Sequence, residues 1–239
     1  MNAFSITDIG EERDTNQDYV FCSETPIGKL PNLFIVADGM GGHNAGDYAS
    51  KFCVEFFKKQ IMVSDLESPI AMIDVALNAT NEGLRNIAKE QTEFEGMGTT
   101  FVVATIIDNL MYVANVGDSR LYVIDDDIRQ ITEDHSLVEA MVKKGEIDRC
   151  SAKVHPNKNI ITRAVGVNET VEADFFEVDL KEGDTVLICS DGLTNMIDDE
   201  DIKEIITKND NLELAANKLV SRANDNGGKD NIAIIIIKV

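Results

Sequence analysis

Leu33-Phe34-Ile35-Val36-Ala37-Asp38-Gly39 is the stretch on which the reading of the fold turns. Its apolar run is continuous rather than alternating, so it reads as a strand covered on both faces. It stops on an aspartate and a glycine. Val186-Leu187-Ile188-Cys189-Ser190-Asp191-Gly192 has the same form. A third strand runs into Asp118 in Val113-Ala114-Asn115-Val116-Gly117-Asp118-Ser119-Arg120. Asp230 opens the last strand in Gly228-Lys229-Asp230-Asn231-Ile232, and Asp18 opens the second in Asn16-Gln17-Asp18-Tyr19. Five aspartates at strand ends can gather at one rim of the sheets. Converging carboxylates repel one another unless a cation lies between them. Oxygen ligands without Cys or His favour Mg²⁺ or Mn²⁺ over Zn²⁺. For any one aspartate alone, turn chemistry is the simpler reading, since Asp-Gly and Asp-Ser are common turn pairs. Gly39 would let its carbonyl approach a metal without a side-chain clash.

Working outward, strand-like runs rich in β-branched and aromatic residues lie near 3–9, 19–23, 32–37, 99–107, 110–116, 120–124, 128–132, 173–178, 184–190 and 231–238. Helical stripes cover 45–60, 69–91, about 135–144, 199–207 and 211–224. Asn44 is placed to cap the first of these, with Asp47 three residues on. Helices thus come as one pair after the third strand and one pair before the last. That order predicts stacked sheets, each covered outside by helices.

Composition narrows the function. The chain has 239 residues, 22 Lys plus Arg against 43 Asp plus Glu, and a net charge of −21. Such a surface disfavours nucleic acid and anionic membrane as partners. The longest strongly apolar run, Ile232 to Ile237, is too short to span a bilayer. No signal-peptide pattern opens the chain. Cys22, Cys53, Cys150 and Cys189 show no zinc spacing, and Cys53 and Cys189 sit in apolar runs, so a reduced, cytoplasmic protein is expected. Several routes to phosphate chemistry are excluded. Six residues after the four cysteines stand Gly28, Lys59, Pro156 and Asn195, never the Arg of a cysteine phosphatase. There is no P-loop and no EF-hand. His43, His135 and His155 are the only histidines, too few for a His-rich binuclear phosphoesterase. Asp125-Asp126-Asp127-Ile128-Arg129 has Arg129 where an aspartyl-phosphate motif needs Thr, and reads as a solvated turn.

Seven motifs then stand in order: Arg13-Asp14-Thr15-Asn16-Gln17-Asp18; Val36-Ala37-Asp38-Gly39-Met40-Gly41-Gly42-His43; Gly96-Met97-Gly98-Thr99-Thr100; Asn115-Val116-Gly117-Asp118-Ser119-Arg120; Ile161-Thr162-Arg163-Ala164-Val165-Gly166; Ser190-Asp191-Gly192-Leu193; and Lys229-Asp230-Asn231. On these the chain resembles the metal-dependent serine/threonine protein phosphatases of the PPM, or 2C-type, family in its compact bacterial form. The resemblance covers essentially the whole length. It implies an α+β fold, a four-layer αββα sandwich of two antiparallel β-sheets flanked by helix pairs. It implies one domain over 1–239, with a flap at about 135–165.

The resemblance also implies a centre of two Mn²⁺ or Mg²⁺ ions, with a third in bacterial members. Asp38 resembles the bridging ligand, the Gly39 carbonyl a ligand of the second ion, and Asp191 and Asp230 ligands of the first. Asp18 acts through metal-bound water, and Asp118 with Asp191 resembles the third site. Arg13 resembles the phosphate-binding arginine and His43 the general acid. Gln17 stands where animal relatives carry Glu, which leaves the second ion with one fewer formal charge around it. The implied reaction is hydrolysis of phosphoserine and phosphothreonine by in-line attack of a metal-bridging hydroxide, with no phosphoenzyme. Phosphorylated proteins are the implied substrates, a serine/threonine kinase among them, and the protein is expected to be a monomer. The alternatives are a regulatory phosphatase with one dedicated phosphoserine partner, and a non-catalytic scaffold. The intact Asp38, Asp191 and Asp230 count against the scaffold. Lys143, Lys144, Arg149, Lys153 and Lys158 concentrate positive charge in the flap. Two readings of them stay open: a substrate-contacting surface, or a solvated loop balanced by Glu139, Glu146 and Asp148.

Overall fold

The structure is a computed structural model, and it describes residues 1–42 and 45–239. Among these the strands are β1 (Asn2–Asp8), β2 (Asp18–Ser23), β3 (Leu33–Met40), β4 (Gly98–Thr99), β5 (Phe101–Ile107), β6 (Leu110–Val116), β7 (Arg120–Ile124), β8 (Ile128–Gln130), β9 (Asp174–Asp179), β10 (Thr185–Cys189) and β11 (Ile232–Lys238). The helices are α1 (Ala45–Val63), α2 (Pro69–Glu90), α3 (Leu137–Lys143), α4 (Arg149–Lys153), α5 (Asp191–Thr194), α6 (Asp199–Thr207) and α7 (Leu212–Asp225). One sheet is ordered β1-β11-β10-β7-β8; the other is β2-β3-β5-β6-β9, with β4 beside β3. The ladders are antiparallel.

The continuous apolar strands resolve into two faces of period two. Phe34 and Val36 of β3 pack between the sheets, with Val102, Ile188 and Ile235. Leu33, Ile35 and Ala37 face the other way, onto Ala49, Cys53 and Phe57 of α1 and Ile73 and Leu77 of α2. In β11, Ala233, Ile235 and Ile237 join the inter-sheet core, while Ile232, Ile234 and Ile236 pack against Ala216, Leu219 and Ala223 of α7. A strand alternating between two apolar layers has no polar positions, which is why these runs are unbroken. Each fully buried Ile contributes about 2 kcal/mol. The result is the expected four-layer αββα order.

Local chemistry sets the helix ends. Ser68 caps α2, its hydroxyl accepting from Ala71 N at 3.4 Å, with Pro69 following. Asn211 caps α7 through Leu214 N at 2.9 Å. The expected cap Asn44 lies outside the described residues. Two expectations change. The run 99–107 is divided at Thr100, whose N–H turns to Asp38 O at 2.8 Å. The stretch expected to form a flap holds two short helices, α3 and α4, rather than one, each capped by its own residue, Ser136 and Asp148.

Candidate metal centre

Both sheets deliver aspartates to one end of the sandwich. Asp18 and Asp38 are cross-strand partners on β2 and β3. Asp38 therefore lies inside its strand rather than at its end, because Gly39 and Met40 go on to pair with β4. Asp118 sits in the turn from β6 to β7, where the chain passes from one sheet to the other. Asp191 is the first residue of α5, just past β10, and Asp230 lies two residues before β11.

The neighbouring motif residues build the frame that holds these carboxylates. Asp38 N donates to Thr100 Oγ1 at 3.0 Å, and its carbonyl accepts from Thr99 Oγ1 at 2.8 Å. Thr100 Oγ1 in turn lies 2.8 Å from Ser119 Oγ, beside Asp118. Ser190 Oγ donates to Asp18 Oδ2 at 2.6 Å and accepts from Ala233 N at 2.9 Å, joining the two sheets. Asn231 accepts from Gln17 N at 2.8 Å and donates to Ile9 O and Thr15 O at 2.8 and 3.0 Å. It clamps the Arg13–Asp18 loop to the start of β11. Arg120 is fixed by Asp134 at 2.7 Å and by the Tyr122 hydroxyl at 3.1 Å. None of Thr99, Thr100, Ser190 and Asn231 carries a role at the level of sequence. Their signal there is membership in the motifs, and for Ser190 and Asn231 a place next to Asp191 and Asp230; nothing in the sequence shows what they hold.

The two glycines that follow Asp38 and Asp191 have a packing reason. A Cβ on Gly39 would stand 2.0 Å from Gly46 O and 2.8 Å from Gln17 O; one on Gly192 would stand 1.9 Å from Asn231 O. Only glycine lets these backbones approach so closely. At Gly39 this adds a steric demand to the expected freedom of its carbonyl.

The carboxyls feel one another. Asp18 is buried, and burial pushes it up to about 7; the charges of Asp191 and Asp230 add to this and the Ser190 hydrogen bond opposes it. Burial and then Asp18, Asp191, Asp118 and Asp230 hold Asp38 well above the usual carboxylate range. Burial, Asp191 and Asp134 do the same for Asp118. Asp191 is raised to about 6 by burial and Asp230, with Arg120, Lys158 and Arg13 countering. Each is a charge that the site disfavours unless something positive joins it. Asp18 Oδ1 is buried with no hydrogen-bond partner.

Arg13, half-exposed at the rim, donates to Asp230 Oδ2 at 2.7 Å. Asp191 Oδ2 accepts from Asn195 Nδ2 at 2.8 Å. Among the described residues no three His, Cys, Asp or Glu side chains are already closed to metal-ligating distances. The donor chemistry nevertheless fits hard divalent cations: oxygens only, mutually destabilised, with one orphaned buried carboxylate oxygen. His43, the expected general acid, lies outside the described residues.

The flap cations are largely spoken for. Lys143 meets Glu133 at 2.7 Å, Arg149 meets Glu139 at 3.1 Å and Lys153 meets Asp198 at 2.7 Å. Of these partners only Glu139 is one of the acids expected to balance the loop; Glu133 and Asp198 lie outside 135–165. Residues of 136–158 wall a cleft of about 310 Å³ whose other side holds Asp118 and Asp191.

Comparison with known proteins agrees with this geometry. The family described as protein phosphatase 2C matches residues 11–220. The chain is 39% identical to the serine/threonine phosphatase Stp of Listeria innocua, covering 100% of this chain and 96% of that protein. It is 37% identical to protein phosphatase PhpP of Streptococcus pneumoniae, covering 100% and 98%. The solved serine/threonine phosphatase of S. agalactiae superposes with a TM-score of 0.93 at 34% identity, covering 100% of this chain and 99% of that one. The catalytic domain of the phosphatase PstP, solved with two manganese ions, superposes with a TM-score of 0.85 at 30% identity, covering 98% and 96%. With its fold, its order of motifs and these relatives in agreement, the chain belongs to the protein phosphatase 2C family of metal-dependent serine/threonine protein phosphatases.

Proposed function

We propose that the five-aspartate rim is the catalytic centre of a single phosphatase domain spanning 1–239. The observation that carries this is the convergence of the aspartates from both sheets at one end of the sandwich, where burial and then one another's charge raise Asp18, Asp38, Asp118 and Asp191, with Arg13 bonded to Asp230. Asp38, the Gly39 carbonyl, Asp191 and Asp230 would hold two divalent ions, Mn²⁺ or Mg²⁺. Asp18 would act through water, and Asp118 with Asp191 would hold a third ion. When bound, the ions supply positive charge for the phosphoryl oxygens and acidify the attacking water.

The chain's own residues do the rest. Arg13 offers a planar fork to two phosphate oxygens, and to do so its guanidinium leaves Asp230. Ser190 and Asn231 keep Asp18 and the Arg13 loop in register with the far sheet. Thr99 and Thr100 hold the backbone of Asp38, so its carboxylate is aimed before substrate arrives. The seryl or threonyl oxygen is a poor leaving group and needs a proton, the role proposed for His43. Phosphorylated proteins are the substrates, and a serine/threonine kinase is proposed among them. Among the described residues no helix is long and apolar enough to cross a membrane. A reducing cytoplasm suits the four free cysteines.

The test is hydrolysis of an aryl phosphate and of a phosphothreonine peptide with Mn²⁺ and with chelator. Turnover is expected only with metal, and only with Asp38 intact. Hydrolysis undiminished by chelation removes the proposal.

A further inference from the structure

Lys158 ends on an amide rather than a carboxylate. Lys158 Nζ donates to Asn195 Oδ1 at 2.8 Å, and Asn195 Nδ2 donates to Asp191 Oδ2 at 2.8 Å. Only one orientation of the amide serves both neighbours. A carboxylate needs a donor and an ammonium needs an acceptor, so the nitrogen must face Asp191 and the oxygen Lys158. Lys158 is presented by a hydrogen-bonded turn: its N–H donates to His155 O at 3.1 Å, and Ile160 N donates to Asn157 O at 3.2 Å. The chain then closes onto the base of the flap through Leu137 N to Ile160 O at 2.8 Å. Asn195 follows α5 directly, one turn past Asp191, and its own N–H donates to Asp191 O at 2.8 Å. Both ends of the amide are therefore held, and both Lys158 and Asn195 are only part-buried.

We propose that Lys158 and Asn195 are positioning residues that set the Asp191 carboxylate and thereby couple the seat of the flap to metal affinity. This rests on reading Asp191 as a metal ligand. Asn195 occupies Asp191 Oδ2 and so leaves Oδ1 to serve an ion. Lys158 keeps the amide from turning and, because it comes from the flap, ties that orientation to the flap being down. Outer-sphere partners of this kind orient ligating carboxylates, and their loss costs about 10–100-fold in metal affinity.

Calorimetric titration of the full chain with Mn²⁺ tests the idea without recourse to turnover. Asn195→Ala is expected to weaken Mn²⁺ binding about 10-fold, at the lower end of that range. Lys158→Ala is expected to weaken it several-fold, and Lys158→Arg, which can still donate to the amide, to restore it. The double variant should lose less than the product of the two single losses, because Lys158 reaches Asp191 through the amide as well as through its charge. Hydrogen exchange across 154–160 should slow on adding Mn²⁺ to the wild type and stay unchanged in Asn195→Ala. Independent, multiplying losses in the double variant overturn the coupling. So does Lys158→Ala that keeps Mn²⁺ affinity and only raises the phosphopeptide KM, since Lys158 is then a substrate contact. If Asn195→Ala does not fold, the surface pair Lys158→Ala and Lys158→Arg decides alone. Wild-type protein that takes up no Mn²⁺ overturns the metal-centre reading itself, and the coupling with it.

Discussion

Two acidic regions of this molecule have opposite electrostatics. Asp125-Asp126-Asp127 is a contiguous run at the β7–β8 turn, exposed throughout. Asp125 Oδ1 accepts from Asp127 N at 2.9 Å, and Asp127 Oδ1 accepts from Ile128 N at 2.9 Å and Lys203 Nζ at 3.3 Å. Those backbone bonds, with Arg129 and Lys203 nearby, hold Asp125 and Asp127 below the usual carboxylate range. The rim aspartates are dispersed from Asp18 to Asp230, yet four of them are driven upward by burial and by one another. Adjacency in sequence is thus no guide to electrostatic strain. What decides is whether each oxygen has water and N–H donors, and a turn supplies both where the end of a sandwich does not.

The largest expected effect comes from deleting the rim's centre. Asp38→Ala should lose phosphatase activity on the order of 10³-fold or more, the scale of losing a principal source of charge stabilisation. In chelator the same variant should melt higher than wild type, because one of several repelling buried carboxyls is gone. Asp126→Asn should change neither. An Asp38→Ala protein less stable than wild type in chelator would show that the rim is held together rather than strained. Next, Mn²⁺ at about 100 times its Kd should stabilise wild type by about 2.7 kcal/mol, a rise of about 5–10 °C in Tm. Scanning calorimetry should find that shift intact in Asp126→Asn and absent in Asp38→Ala. Arg13→Ala should raise the phosphopeptide KM about 10-fold or more, the scale of a lost charge-assisted phosphate contact. A change in kcat alone would place Arg13 elsewhere in the reaction.

That contrast between regions is partly legible in the amino-acid sequence. Asp125-Asp126-Asp127 reads as a solvated turn and is one, since three consecutive carboxylates leave no apolar face to bury. The apolar runs that end on Asp38 and Asp191 read as a matched pair, because only a doubly covered strand explains an unbroken run, and both strands prove to be covered on both faces. The frame around the aspartates is not legible. Ser190 meets Asp18 across 172 positions and Asn231 meets Gln17 across 214, separations about which no local period carries information. The division at Thr100 arises from Asp38 O, which takes the Thr100 N–H and the Thr99 hydroxyl together. Four-residue α5 has too few turns to show a stripe. The positive charge of 143–158 is half legible for a related reason: Glu139 stands near Arg149 in the sequence, but Glu133 and Asp198, which meet Lys143 and Lys153, lie outside the segment.

pH separates the two regions by sign. Asp18 at about 7 and Asp191 at about 6 stay protonated in the folded chain where the unfolded chain has released those protons. The folded state binds more protons between about pH 4 and 7, so its stability falls as pH rises through that window. For the turn the sign reverses. Asp125 and Asp127 are lowered, so their contribution is present above the unfolded value and is lost as the pH falls through the folded one. Both are fully open to solvent, which screens them. In chelator, Tm should be higher at pH 5.5 than at pH 7.5, by a few degrees or more. Saturating Mn²⁺ should close the gap by stabilising the ionised carboxylates at the higher pH. A chelated protein that melts higher at pH 7.5 would refute the raised carboxyls.

The smallest effect is the most discriminating control. Lys203–Asp127 and Arg13–Asp230 are both surface-reaching cation–carboxylate pairs, at 3.3 and 2.7 Å. Geometry alone would rank them as similar. Asp127 keeps the Ile128 N–H and open water when Lys203 is removed, so Lys203→Ala should leave Tm and turnover unchanged within error, with or without about 0.5 M salt added to screen the pair. Asp230 also keeps a backbone donor, the Asn231 N–H at 2.9 Å, but it is less exposed than Asp127 and its charge faces other carboxyls, raising Asp18, Asp38 and Asp191. Removing Arg13 should therefore lower Tm in chelator and have little effect on Tm once Mn²⁺ is bound. If Lys203→Ala showed the same chelator-dependent loss, the difference between turn and rim would lie in the strength of ion pairs. If only Arg13→Ala shows it, the difference lies in what surrounds the carboxylate.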